Sequence, residues 1–271
     1  MYKEIYKLNL IRNYNTYMAF KRTLIKAKLT DNVELGKDYY VSWFHAPEIT
    51  KNISPGQFVM MESGQYLLRP FSVYEIKGDN AGFLYRVIGG GTSFLSKLQI
   101  GNEVLIHGPL GKGFSYPENK NKPILIIAGG IGIATFPIVA RVGFENGYKI
   151  KTLFGARSKN DLVCTEELKK YGEVDSITDD GSSGRKGLVT ELLTTELNKN
   201  KDQEVLVCGP TPMLKSVIKV CNEFRVIAQV SFEEYMACGY GVCMSCVIKA
   251  NGKHLRTCVD GPVMRSDIVA V

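Results

Sequence analysis

Short runs of apolar and β-branched residues, separated by turn residues, make up the chain between residues 20 and 109. Dipeptides that favour turns, such as Asp31-Asn32 and Pro55-Gly56, punctuate these runs. Runs of this length with these boundaries predict β-strands. We expect strands at residues 22–29, 38–45, 57–62, 71–76, 82–88 and 103–107. Strands at this spacing, with little helix between them, indicate a small antiparallel barrel.

The pattern changes near residue 123, after which apolar runs alternate with stretches of helical periodicity. We expect strands at 124–128, 149–154, 174–178, 204–208 and 227–232, and helices after Gly132 and at 161–171, 187–197 and 210–222. Alternation of strand and helix over this length predicts an open parallel sheet with helices on both faces. The predicted fold class is therefore an antiparallel β-barrel followed by an α/β nucleotide-binding domain.

Composition fits a globular protein, since 45% of the 271 residues are apolar and 23% are charged. No apolar run is long enough to cross a bilayer. Charged residues such as Lys3, Glu4 and Arg12 interrupt the first stretch, so we do not expect a signal peptide. The net charge of +7 is spread along the chain, which argues against a nucleic-acid partner. We expect a cytoplasmic protein, in which cysteine patterns indicate metal or redox chemistry.

Four cysteines near the C-terminus carry the strongest chemical signal: Cys238, Cys243, Cys246 and Cys258. Their spacing is Cys-x4-Cys-x2-Cys, then eleven residues, then Cys. This spacing is typical of a plant-type [2Fe-2S] cluster, which takes four thiolate ligands. Gly239 suits such a loop, because a residue without a Cβ tolerates positive φ and lets amide groups approach the cluster.

Two other interpretations of these cysteines remain open at this point. A structural zinc site usually combines two Cys-x2-Cys pairs, or one such pair with two histidines. The segment has one such pair, and His254 has no second histidine near it in sequence. Buried cysteines also cluster by chance, because cysteine is a common core residue. The spacing favours the [2Fe-2S] cluster over both.

Two short motifs in the first half predict anchors for a diphosphate. Arg69-Pro70-Phe71-Ser72 begins a predicted strand, and its guanidinium can bind a phosphate. Gly89-Gly90-Gly91-Thr92 precedes a predicted short helix, whose first N–H groups favour anions. Each motif alone is also an ordinary strand start or a glycine turn before a capped helix. Together they describe two contacts with one diphosphate.

The nucleotide-binding half lacks the usual dinucleotide fingerprint. Its first turn is Gly129-Gly130-Ile131-Gly132, and Gly155-Ala156-Arg157-Ser158 stands where an acidic residue would follow the second strand. Ligands of such sheets nevertheless bind at the carboxyl ends of the strands. This end includes the 129–132 turn and Cys208-Gly209-Pro210. The sequence does not decide between NAD and NADP, because a 2′-phosphate could equally be bound by Arg157, Ser158 and Lys159.

Three motifs in this order resemble the ferredoxin-NADP reductase superfamily: Arg69-Pro-Phe-Ser72, Gly129-Gly-Ile-Gly132 and Cys208-Gly-Pro-Thr-Pro-Met213. The C-terminal motif, Met236-Ala-Cys-Gly-Tyr-Gly-Val-Cys-Met-Ser-Cys246 with Cys258-Val-Asp-Gly-Pro-Val263, is similar to the family of electron-transfer subunits of NAD-linked, heteromeric dihydroorotate dehydrogenases. The resemblance implies an N-terminal extension at residues 1–20, an FAD-binding barrel at 21–120, an NAD-binding domain at 121–231 and a [2Fe-2S] domain at 232–271.

The resemblance also implies site residues. The FAD would be held by Arg69, Pro70, Phe71, Ser72, Arg86, Val87, Ile88, Gly91 and Thr92. The nicotinamide nucleotide would be held by Gly129, Gly130, Gly132, Cys208, Gly209 and Pro210. The cluster ligands would be Cys238, Cys243, Cys246 and Cys258. No catalytic acid or base is expected, because hydride and electron transfer between cofactors need none.

The implied function is that of an oxidoreductase subunit in pyrimidine (UMP) biosynthesis. Electrons would pass from a partner chain through [2Fe-2S] and FAD to NAD⁺. The chain has no room for the barrel of about 250 residues that would oxidise dihydroorotate. An FMN-containing catalytic subunit is therefore expected as partner, in a heterotetramer of two plus two. Met236, Tyr240, Val242 and Met244 fit either an interface or shielding of the cluster.

Two alternatives stay open. The same cofactors would serve an NAD(P)H-oxidising subunit of a hydrogenase, a sulfite reductase or a ferredoxin:NADP⁺ transhydrogenase. The other alternative is a non-catalytic binding module that is stabilised by a structural zinc ion.

Overall fold

The computed structural model describes residues 22–250 and 252–269, and the predicted N-terminal extension lies outside these ranges. A first sheet of seven strands has the order β4-β3-β7-β1-β2-β6-β5, and every neighbouring pair in it is antiparallel. Its strands are β1 Thr23–Gly36, β2 Tyr39–His45, β3 Phe58–Met61, β4 Arg69–Ser72, β5 Glu75–Lys77, β6 Asn80–Arg86 and β7 Glu103–Leu110. The sheet curls into a half-barrel, which confirms the predicted first fold class.

Alternation of side chains along the strands separates the two faces of this sheet. Val59 and Met61 of β3 enter the main core, whereas Phe58 and Met60 point to the opposite face. Two short helices, α1 Pro47–Thr50 and α2 Gly90–Ser96, lie between the strands of this half in sequence. The outward face of β3 is therefore free to receive another part of the chain.

One predicted strand is wrong in its extent. Residues 71–76 form the end of β4 and the start of β5, which lie at opposite edges of the sheet. The chain passes from β4 to β5 through Val73 and Tyr74. The Tyr74 N–H donates to Gly82 O at 2.8 Å, and its carbonyl accepts from Ile138 N at 3.0 Å. These partners belong to other elements of the chain, so local pattern does not reveal the break.

A second sheet of seven strands has the order β11-β10-β9-β8-β12-β13-β16. Its strands are β8 Ile124–Gly129, β9 Ile150–Ala156, β10 Glu173–Thr178, β11 Arg185–Lys186, β12 Glu204–Cys208, β13 Ala228–Ser231 and β16 Val263–Arg265. All its pairs are parallel except β13–β16. The helices are α3 Phe136–Glu145, α4 Thr165–Lys169, α5 Val189–Lys199 and α6 Thr211–Phe224. The predicted α/β fold is confirmed.

Two predicted helices of this half differ from the structure. The helix after Gly132 begins as a 3₁₀ turn, Gly130–Thr135, before α3. The helix predicted at 161–171 is reduced to a 3₁₀ turn and the five-residue α4, because Cys164 adopts φ of 63°. A left-handed residue cannot continue a right-handed helix, so the segment breaks there.

The C-terminal segment joins both halves. After β13 the chain forms the cysteine loop and the hairpin of β14 Val247–Ala250 and β15 Lys253–Arg256. It then returns as β16, which pairs antiparallel with β13. The loop is thus held at both ends by the second sheet. Among the described residues no helix has the length and apolarity to cross a membrane.

A buried ion pair ties the barrel to the nucleotide half. Arg141 of α3 donates from Nε and Nη2 to Glu75 Oε1 of β5, at 2.9 and 2.8 Å. The Glu75 side chain is 6% exposed and that of Arg141 is 25% exposed. The hydrogen bonds and the negative charge of Glu75 raise the pKa of Arg141 above its usual value.

Replacing Arg141 should destabilise the protein by leaving the Glu75 carboxylate buried without a counter-charge. We expect Arg141→Met to lower the free energy of unfolding by about 3 kcal/mol, the lower end of the range for broken buried pairs. Urea unfolding followed by fluorescence measures this. Lys169→Ala is the control, because its pair with Glu166 is exposed and worth about 1 kcal/mol or less. Equal losses in both variants would contradict the prediction.

Candidate functional site

The structure brings the four predicted cysteines together as two pairs. Cys246 and Cys258 are buried, with their sulfur atoms 3.3 Å apart. They pack with Phe58, Met60 and Leu110 on the outward face of β3 and β7. This second small core fixes one half of the cysteine loop on the barrel.

The other pair, Cys238 and Cys243, lies nearer the surface, and each thiol shifts the pKa of the other. Tyr240 N–H donates to Cys238 Sγ at 3.3 Å. Hydrogen bonds from Ser245, whose hydroxyl lies 3.1 Å from the sulfur, lower the pKa of Cys243 to about 6. Burial raises the pKa of Cys258 to about 12.

The donor set suits two metal ions better than one. Within the described ranges no three His, Cys, Asp or Glu side chains converge on a single point as metal ligands. The charge of Cys238 adds to burial and to Cys246 in raising the pKa of Cys258, so the two pairs lie near each other. A tetrahedral zinc ion would need all four sulfur atoms around one centre. Two neighbouring thiol pairs instead fit the two irons of a [2Fe-2S] cluster.

Glycines let the loop follow this path. Gly239 has φ of 70° and Gly241 has φ of 79°, in the left-handed region expected from the sequence. A Cβ on Gly239 would lie 2.9 Å from Met60 Cγ, so the loop backbone rests directly on the barrel. The close approach of Gly239 therefore sets how near the cysteines lie to β3.

The predicted flavin strand is the immediate neighbour of this contact. β4, which comprises Arg69, Pro70, Phe71 and Ser72, lies at the sheet edge and pairs with β3. Phe71 packs edge-on against Tyr85, with ring centroids 6.0 Å apart. Arg69 is exposed, whereas the other three residues are half-buried. The predicted flavin motif therefore lies on the strand directly next to the surface on which the cysteine loop rests.

The glycine run near α2 lies beside a hydroxyl group without a hydrogen-bond partner, which no sequence motif predicted. The hydroxyl of Ser63 is buried and has no hydrogen-bond partner among the described residues. A Cβ on Gly91 would lie 2.9 Å from this hydroxyl. Thr92 Oγ1 accepts from the N–H groups of Ile88 and Gly89. An orphaned donor beside an exposed glycine turn fits the predicted diphosphate contact.

Arg86 makes an ion pair that local sequence could not indicate. Its Nη1 lies 3.4 Å from Asp161 Oδ1, and its guanidinium lies over the ring of Tyr39. Tyr39 also donates to Asp161 at 2.9 Å. Arg86 therefore links the barrel to the nucleotide half, while the neighbouring Ile88 is 84% exposed. Val87 donates its N–H to Asp38 O.

The two predicted nucleotide loops meet at the carboxyl ends of β8 and β12. A Cβ on Gly132 would lie 2.7 Å from the carbonyl carbon and oxygen of Cys208. Gly129 is similarly close to Met213, whereas Gly130 has open space around it. Gly209 and Pro210 continue the second loop towards α6.

Cys208 lies at this junction, with its sulfur 4.0 Å from Thr135 Oγ1. Burial raises the pKa of Cys208 to about 11. The thiol is therefore neutral at physiological pH and offers a packing surface.

Comparisons with known proteins match both halves of the site. The profile of the iron-sulfur cluster binding domain of dihydroorotate dehydrogenase B matches residues 233–270. That of the oxidoreductase NAD-binding domain matches residues 126–219.

Relatives of similar length match most of the chain. The electron transfer subunit of dihydroorotate dehydrogenase B (NAD⁺) from Clostridium perfringens is 36% identical over 88% of this chain and 94% of its own. The corresponding subunit from Fusobacterium nucleatum is also 36% identical, over 88% of this chain and 95% of its own.

Two solved structures extend the comparison. An NADH-dependent reduced ferredoxin-NADP oxidoreductase, described in a study of flavin-based electron bifurcation, has 30% identity and a TM-score of 0.82 over 91% of this chain and 90% of that one. A ferredoxin NADP⁺ reductase from Neisseria gonorrhoeae with bound FAD and NADP has 15% identity and a TM-score of 0.65, over 77% and 99%, so it matches in fold.

Removal of one buried thiol should prevent binding of the cluster but leave FAD bound. We expect Cys258→Ala to lose its iron, its acid-labile sulfide and the electron paramagnetic resonance (EPR) signal of the reduced protein, because one iron loses a ligand. FAD content should stay unchanged, since β4 and α2 are intact. Cys221→Ala is the control, because that thiol is buried in α6 away from the loop. Full iron and sulfide in Cys258→Ala would refute the assignment.

A methyl group on Gly132 should push the two nucleotide loops apart. We expect Gly132→Ala to raise the KM for NADH roughly tenfold, or about 1.4 kcal/mol, with cluster and flavin retained. Steady-state NADH oxidation with ferricyanide as acceptor measures this. Gly36→Ala serves as control, because a Cβ there meets nothing within 4 Å. An unchanged KM would show that this junction does not bind the nucleotide.

Proposed function

The chain belongs to the family of electron transfer subunits of NAD⁺-linked dihydroorotate dehydrogenase B, and we propose that it passes electrons from a dihydroorotate-oxidising partner to NAD⁺ in UMP biosynthesis. It is an oxidoreductase subunit that acts with a catalytic partner, and its cofactors are FAD, a [2Fe-2S] cluster and NAD. One observation carries the proposal: the cysteine loop rests on β3 through Cys246, Cys258 and Gly239, and β3 is the strand next to the flavin motif of β4.

The residues proposed to hold the cofactors lie on three elements. The four thiolates of Cys238, Cys243, Cys246 and Cys258 would hold the cluster. Phe71 and Ser72 on β4 would contact the flavin, with Arg69 and the Gly91–Thr92 backbone on its diphosphate. FAD supplies, when bound, the exchange between two-electron nicotinamide chemistry and one-electron cluster chemistry.

The protein's own side chains bind and orient in this scheme, and none needs to move a proton. Gly129, Gly132 and Gly209 let the two nucleotide loops approach each other closely. Cys208 beside them is a neutral thiol, since burial raises its pKa to about 11. We infer that its role is to fill space next to the nicotinamide nucleotide and to exclude water.

We propose the surface around the cysteine loop as the docking face for the partner. Tyr240, Val242 and Met244 are respectively 50%, 80% and 51% exposed, although all three are large apolar side chains. Such a patch beside redox ligands is typical of a protein contact. The partner we propose is an FMN-containing catalytic subunit, in a heterotetramer with two copies of each chain.

A second function is favoured by one specific observation. The NADH-dependent reduced ferredoxin-NADP oxidoreductase chain matches in structure over 91% of this chain at 30% identity. A subunit of that kind would use the same cofactors with a different partner. The dihydroorotate dehydrogenase relatives are more similar in sequence, at 36% identity, and we therefore rank this function second.

Reconstitution with the catalytic partner tests the proposal. We expect dihydroorotate-dependent NAD⁺ reduction when both chains are present, and no such reduction by either chain alone. Val242→Asp should weaken assembly at least tenfold in analytical ultracentrifugation, because a carboxylate enters the apolar docking patch.

Phe144→Asp is the matched control, since that exposed side chain lies on α3 in the nucleotide half. A complex that reduces NADP⁺ with reduced ferredoxin, but not NAD⁺ with dihydroorotate, would instead support the second function.

A further inference from the structure

A stacked pair of aromatic rings joins the cysteine loop to the barrel. The ring of Tyr240, between Cys238 and Cys243, lies on the imidazole of His107 in β7. The ring centroids are 4.5 Å apart and the planes differ by 27°. Tyr240 is half exposed, whereas His107 is 4% exposed. The ring of Tyr240 therefore packs on a buried histidine of β7, the strand next to β3.

The imidazole is held in one orientation by the barrel backbone. His107 Nδ1 lies 3.0 Å from the carbonyl oxygen of Thr23 in β1 and 3.4 Å from the hydroxyl of Tyr240. A carbonyl oxygen accepts hydrogen bonds and cannot donate them, so Nδ1 carries the proton. Nε2 is then unprotonated, and it is buried with no partner among the described residues. The ring is a neutral, fixed platform, consistent with burial lowering the pKa of His107.

The backbone of the same tyrosine reaches a proposed cluster ligand. Tyr240 N–H donates to Cys238 Sγ at 3.3 Å. Hydrogen bonds to cysteine sulfur are one of the factors that set the reduction potential of an iron–sulfur cluster. A donor stabilises the reduced cluster more, because reduction adds negative charge.

The stacked pair of Tyr240 and His107 lies at the less buried half of the cysteine loop. Cys246 and Cys258 are buried in the small core on Phe58 and Met60, but Cys243 is exposed. Gly239 contacts Met60 of the barrel in this half of the loop. The ring of Tyr240 adds a second contact by stacking on His107.

We propose that His107 is a positioning residue: by stacking on Tyr240 it aims the Tyr240 N–H at Cys238 and so raises the reduction potential of the cluster. The inference rests on the proposed function, because it requires the cluster at these cysteines. It assigns a role to a histidine that the sequence alone presents as an ordinary barrel residue.

The test is an EPR-monitored redox titration of the purified holoprotein. His107→Ala should lower the cluster potential by about 59 mV, which corresponds to a tenfold change in the one-electron equilibrium. Tyr240→Ala should lower it similarly, and the double variant should add little. His107→Phe should restore the wild-type potential, because a neutral aromatic ring keeps the stack.

Tyr148→Ala is the control, since it removes a different stacked pair, Tyr116 with Tyr148, far from the loop in sequence. Unchanged potential in His107→Ala, or equal shifts in His107→Ala and His107→Phe, would overturn the proposal. Iron and sulfide are measured on every sample. A wild-type chain without a cluster would contradict the proposed function itself, whereas a normal cluster with unshifted potentials contradicts this inference alone.

Discussion

The packing of the cysteine loop on the outward face of β3 and β7 is the contact on which the rest of the arrangement depends. Cys246 and Cys258 share a small apolar core with Phe58, Met60 and Leu110, and Gly239 brings the loop backbone against Met60. A bulkier residue at position 239 would lift the loop away from the barrel. Because β4 adjoins β3, this one contact places the cysteine pairs near the flavin motif.

The path of the chain stabilises this contact between the loop and the barrel. The loop leaves the second sheet at β13 and returns to it as β16, which pairs with β13. Both ends of the loop are thus fixed to the nucleotide half while its middle rests on the barrel. Side-chain contacts join the same two halves elsewhere: Arg141 pairs with Glu75, and Asp161 contacts Arg86 and Tyr39. The proposed sites for cluster, flavin and nucleotide are consequently held by one connected framework.

Sequence reasoning succeeded where the chemistry is local. Cysteine spacing predicted a [2Fe-2S] domain, which the match of residues 233–270 to an iron-sulfur cluster binding domain confirms. Alternating strands and helices identified the second sheet. It failed at Tyr74 and Cys164, where the passage of the chain between the two sheet edges and a left-handed residue break the predicted elements. It also missed Ser63, which lies in an irregular loop and belongs to no motif.

The amino-acid sequence by itself determined the two fold classes, their order along the chain and the presence of an iron-sulfur domain, since these follow from periodicity and from cysteine spacing within short stretches. Tertiary structure alone decided that Cys238 pairs with Cys243 and Cys246 with Cys258, that Arg86 meets Asp161, and that Tyr240 lies on His107. These contacts join residues up to 133 positions apart. Their partners are selected by sheet register and by packing between elements, which no local pattern of side chains encodes.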